Sequence, residues 1–99
     1  MVTAGLLIRL QALPGQESKV AEMLGGAMPI VDREPGTTAL FMIQFGPSEY
    51  GIFNAFPDEA ARQAHMTGHA AEALFANAAL FAIPPTVQPV DILAAKLPA

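Results

Sequence analysis

Two histidines stand four residues apart in the stretch QAHMTGHAA, Gln63 to Ala71. On one continuous helix, His65 and His69 would present two imidazoles on one face. Such a pair can hold a metal or work in acid–base chemistry. Zinc takes three or four ligands. No third ligand is readable among the carboxylates, and the chain has no cysteine. Thr67-Gly68 also interrupts the helix, which places the histidines on separate pieces. No metal site is therefore expected. His65 is the better candidate for a general base, because imidazole is the side chain whose ordinary pKa lies nearest neutrality. It reads equally well as a helix-end histidine bonded to a backbone carbonyl. His69 reads as a structural or solvent-facing residue in a flanking role.

These side chains need a scaffold, and composition bounds it. The chain of 99 residues fits a single domain, 1–99. Hydrophobic residues make up 53% and charged residues only 14%, well below the usual ~25%. So few charges leave apolar surface uncovered, which implies burial against a second copy. Net charge is −4, which argues against nucleic acid and against an anionic membrane surface. No run approaches the ~20 apolar residues of a membrane span, and the start of the chain does not read as a signal peptide. A cytoplasmic protein is expected.

AGLLIRLQAL, from Ala4, alternates as a strand and ends at Pro14-Gly15. Val20, Met23, Leu24, Ala27 and Met28 form a helical stripe. Gly25-Gly26 within it is read as a close approach of helix to sheet, Pro29 as the beginning of the helix end, and Glu34-Pro35-Gly36 as its completion. Thr37 to Phe45 is a second strand, with Leu40 and Met42 on one face and Ala39, Phe41, Ile43 and Phe45 on the other. Being apolar on both sides, it is expected to be buried on both. Tyr50 to Phe56 completes a hairpin. Pro57-Asp58-Glu59 starts a helix that is expected to bury Ala60, Ala61 and Ala64. A second piece begins near His69, with Ala71, Leu74, Phe75, Ala78 and Ala79 as its stripe. Pro84-Pro85 stops it. Val87 to about Leu93 is a fourth strand, and Pro89 suggests an edge or a bulge.

The order is β-α-β-β-α-β, the ferredoxin-like α+β arrangement, with a four-stranded antiparallel sheet and both helices on one face. The other face is left bare and is apolar. Two such sheets packed face to face would cover each other, giving a dimeric α+β barrel.

Four stretches also carry a resemblance: LPGQESKVAEML, REPGTTALF, FPDEAARQAHMTGH and VDILAAKLP. In these the chain resembles the antibiotic biosynthesis monooxygenase superfamily, small dimeric α+β barrels that include quinol monooxygenases. The resemblance implies oxygenation of an electron-rich aromatic, a quinol or an anthrone, without flavin or metal. Such a protein supplies a dry pocket, a base and donors for the substrate anion. On that reading His65 is the base. Tyr50, Asn54 and Arg9 are anion-stabilising donors, Arg9 being equally open to pairing with an acid such as Asp91. Phe41, Met42, Phe53 and Phe75 line the cavity, with His69 beside the substrate. The chain has no tryptophan, and Asn54 is not on the first strand, so haem degradation is not expected. The competing reading is a non-catalytic small-ligand-binding or structural dimer on the same scaffold.

Overall fold

A computed structural model describes residues 1–98. Alternating side chains build the centre of the sheet. In β1 (Ala4–Gln11), Ala4, Leu6, Ile8 and Leu10 are buried on one face. β1 pairs antiparallel with β3 (Glu49–Phe56) on one side and with β4 (Thr86–Asp91) on the other. β2 (Ala39–Gln44) pairs antiparallel with β3, so the order is β2-β3-β1-β4. This is the ferredoxin-like α+β arrangement. β4 is an edge strand, which accommodates Pro89. It ends at Asp91, short of Leu93.

α1 (Glu17–Asp32) lays Val20, Leu24 and Val31 inward. With Leu74 of α3 (His69–Ala76), Val20 and Leu24 join Ile8, Leu10, Tyr50 and Ile52 in the main core. Phe56, fully buried, closes the far end with Ala4 and Leu6. α2 (Glu59–Met66) precedes α3, and a short 3-10 turn, Ala78–Leu80, follows it.

α1 ends at Asp32, within one turn of Pro29 and just before Glu34-Pro35-Gly36, as expected. Pro29 is exposed there, and its missing N–H leaves the Gly25 carbonyl without a helical donor. One expectation about α1 fails: Gly25 and Gly26 do not mark a close approach, since a Cβ at either would meet nothing within 4 Å. They lie on the exposed side of the helix. The alanines of α2 also depart from expectation. Ala60 and Ala64 are exposed, Ala61 is half-buried, and the residue α2 buries is His65. In α3 only Leu74 of the expected stripe is buried; Phe75 remains 53% exposed. Both helices have eight residues, too few for a long stripe.

The opposite sheet face carries Leu7, Phe41, Ile43, Phe45 and Phe53. Phe41, Ile43 and Phe45 are 56%, 40% and 48% exposed in the single chain. β2 is thus covered on one face only, where burial on both was expected.

Gly25→Ala and Gly26→Ala should each stabilise the protein by about 1 kcal/mol, by removing a glycine from an open helix position. Thermal denaturation should register about 4–8 °C per substitution. A lower midpoint in either variant would show that the space beside it is needed.

Candidate active site

Capping sets the direction of α2. Asp58 accepts a hydrogen bond from the Ala61 N–H at 2.9 Å, an N-cap. One turn on, Arg62 bonds Glu59 through Nε at 2.6 Å. Its Nη1 donates to the carbonyls of Gly5 and Val90 at 3.1 and 3.0 Å. Gly5 and Val90 face each other across β1 and β4, so Arg62 fastens α2 to the sheet backbone. The hydrogen bond from Arg62 holds the Glu59 carboxyl below its ordinary range. The same bond pushes the Arg62 guanidinium up.

With α2 held there, His65 turns inward and is 7% exposed. Its ring lies 5.4 Å from that of Phe56, tilted by 48°. Its Nδ1 is 2.5 Å from Glu34 Oε1. That oxygen also accepts from the Thr37 hydroxyl at 2.8 Å. An ionised carboxylate only accepts, so the geometry calls for the proton on Nδ1. Among the described residues Nε2 has no hydrogen-bond partner. Glu34 lies in the α1–β2 loop, which comes close to α2 because small residues meet there. A Cβ on Gly36 would sit 3.1 Å from the Ala61 Cβ, and one on Gly68 would sit 3.2 Å from the Ala64 carbonyl and 3.5 Å from Glu34 Oε2.

His65 stands between two spaces. Inside, between sheet and helices, is a cavity of about 90 Å³. Leu6, Ile8, Leu24, Leu40 and Leu74 give its character, and His65 is the one polar residue in its wall. Met23, Met42 and Met66 also line it. Their flexible side chains let such a space adapt to a ligand. Outside is a groove of about 500 Å³ between the α1–β2 loop and the α2–α3 junction, lined by Arg33, Glu34, Thr37, His65 and His69 among others. Glu34 borders the groove and not the cavity.

Asn54 is fully buried on the same sheet face. In register it lies between Leu6 and Leu40, both of the cavity wall. Among the described residues neither its amide oxygen nor its nitrogen has a partner. A buried group left in that state costs about 1–3 kcal/mol.

The remaining candidates separate by strand parity. Met42 and Phe75 line the cavity. Phe41 and Phe53, expected there, are cross-strand partners on the opposite face. Arg9 is on that face too, its guanidinium 4.9 Å from the Phe45 ring centroid. It pairs neither with Asp91 nor with anything in the cavity. Tyr50 is buried, but its hydroxyl donates to the Glu17 carbonyl at 3.3 Å. It stands six residues before Phe56 on β3, about 20 Å along the strand, and so is not brought to His65. His69 opens α3 rather than continuing α2, is exposed, and lies 3.4 Å from Glu72. Among the described residues no group of three or more His, Asp or Glu side chains could hold a metal. None of the described helices is long and apolar enough to cross a membrane.

Glu34 and Arg62 are the residues that sequence reasoning missed. Glu34 falls within REPG, a stretch that reads only as a helix end, and is 31 residues from His65. Arg62 follows Glu59 by three, a helical ion-pair spacing. That spacing was the available signal for Arg62, but its bonds to the sheet carbonyls had none.

No family model matches the chain, and no curated protein matches it. Solved structures do. A protein of unknown function from Nitrosomonas europaea, NE2512, is 53% identical, with a TM-score of 0.97, covering 100% of this chain and 97% of that one. Rv0793 from Mycobacterium tuberculosis is 15% identical, with a TM-score of 0.83, covering 94% and 97% of the two chains. A structure named antibiotic biosynthesis monooxygenase is 17% identical, with a TM-score of 0.78, covering 92% and 99%. At those lower identities the likeness is one of fold.

Glu59→Gln should lower thermal stability slightly at neutral pH. The carboxyl is more acidic folded than unfolded, so its contribution is present above the ordinary value of 4.5. That contribution is lost as pH falls through the folded value. The effect is small because the Glu59 side chain is 60% exposed. Melting curves of wild type and variant should converge in acid. A gap that persists there would assign the effect to packing instead of charge.

Proposed function

Since the chain belongs to the family of the Nitrosomonas europaea NE2512 protein and has the antibiotic biosynthesis monooxygenase fold, we propose that it is a monooxygenase. Its substrate class is a quinol- or anthrone-like aromatic, oxidised with dioxygen. The observation that carries this reading is an apolar cavity whose single polar wall residue is a buried histidine.

The chemistry asks little else of the protein. His65 Nε2 takes a proton from the substrate, and the resulting anion is electron-rich enough to reduce dioxygen without a cofactor. For an anthrone-type CH2, oxidation to C=O releases four electrons. The carbanion adds dioxygen and regains the proton from the base as a hydroperoxide. Loss of the second C–H proton then breaks the O–O bond, leaving one oxygen as C=O and releasing the other as hydroxide, which takes that proton to become water. The apolar wall excludes bulk water and strengthens each polar contact inside. Asn54 stands behind that wall, between Leu6 and Leu40 in register and fully buried, and does not border the cavity.

A second copy of the chain covers the open sheet face, where Phe41, Ile43 and Phe45 are exposed together. Patches of this kind on small soluble chains are interaction surfaces. The dimer puts the two cavities on the outer sides of the paired sheets, each complete within its own protomer.

Oxygen uptake with a panel of quinols and anthrones tests the activity. Turnover should fall by about 10²–10⁴-fold in His65→Ala. Asn54→Val should gain stability, by about 1–3 kcal/mol, because it removes an unpaired buried amide. Absence of turnover across the panel, with a well-folded protein, would favour the binding-only dimer. For assembly, light scattering should give about twice the 10.4 kDa chain mass. Phe41→Glu should bring it to the monomer value; a dimer unaffected by that change uses another surface.

A further inference from the structure

We infer that Glu34 is a positioning residue for His65, fixing the imidazole with its proton on Nδ1 so that Nε2 is left as the acceptor for a molecule in the cavity. This rests on the reading of His65 as a base. The contact is short, 2.5 Å from Nδ1 to Oε1, and the carboxylate is itself held. Thr37 donates to the same oxygen.

The loop is fastened by its backbone as well as by the Glu34–Thr37 bond. Its backbone is fastened by Glu34 N–H to the Val31 carbonyl at 2.9 Å and by Thr38 N–H to the Ala55 carbonyl at 2.9 Å. The carboxylate is brought from 31 residues away onto a buried imidazole.

Its location also suits the chemistry. Glu34 borders the outer groove, with Arg33 and His69, and stays out of the cavity wall. The imidazole ring stands between the carboxylate and the cavity. When His65 takes the substrate proton, the imidazolium has a negative partner on each side: Glu34 on Nδ1 and the new anion on Nε2. A carboxylate inside the cavity would instead repel that anion.

The test is nitrogen NMR of the His65 imidazole in the intact protein, with turnover measured in parallel. Wild type should show one tautomer, protonated on Nδ1. Glu34→Gln, whose amide oxygen still accepts, should keep it, while Glu34→Ala should give a mixture. Thr37→Val, which unties Oε1 without removing it, should shift the population in the same direction by less. That variant decides the matter if Glu34→Ala does not fold. Glu34→Gln should reduce kcat about 10-fold or more with KM little changed, and Glu34→Asp should recover part of the loss. The same tautomer in wild type and in a folded Glu34→Ala would overturn the inference. A tautomer that depends on Glu34 supports it even where no aromatic turns over, and in that case only the assignment of the reaction fails.

Discussion

Helices cover one face of a single four-stranded sheet, and every other feature depends on that asymmetry. In a strand, neighbouring residues point to opposite faces, so parity decides which side chains meet the helices and which stand on the uncovered face. Leu6, Ile8, Met42, Ile52 and Asn54 fall on the helix side, while Arg9, Phe41 and Phe53 fall on the other. A chain of this size has one core layer to build. It uses the layer under the helices to hold both its main core and its cavity. The bare layer has no cover among the described residues.

The polar groups on the helix side are few, and each is held differently. Arg62 is satisfied by backbone carbonyls and an acid, and serves as a fastener. His65 is half satisfied, with one ring nitrogen bonded and the other free. Asn54 is wholly unsatisfied. A fold selected for stability alone would have no reason to keep an unpaired amide in a buried layer of leucine and isoleucine. The gradient from fastener to base to orphan runs from the edge of α2 into the sheet.

Much of the architecture was legible in the sequence because it is a matter of period. The element order, the hairpin, the two apolar faces of β2 and the break at Thr67-Gly68 all follow from local pattern and turn chemistry. Strand parity also read correctly: Phe41 was already on the face opposite Met42. Assigning both to one cavity set that parity aside. What the sequence could not reveal was long-range. Nothing local links Glu34 to His65, or the Tyr50 hydroxyl to the start of α1. Gly25-Gly26 was misread for a different reason. Glycine pairs in a helix signal either close packing or mere tolerance, and only the neighbours distinguish the two.

The same glycines have a mechanical consequence. Ala27 and Val31 of α1 form part of the cavity wall, and they lie just beyond Gly25-Gly26 on either side of Pro29. Three residues that weaken a helix are thus gathered in the stretch that closes the cavity. Local opening takes place where the free energy of opening is lowest. The second half of α1 is therefore the part of the cavity wall that opens at least cost, while the sheet, the Arg62 fastening and the bare face stay as they are.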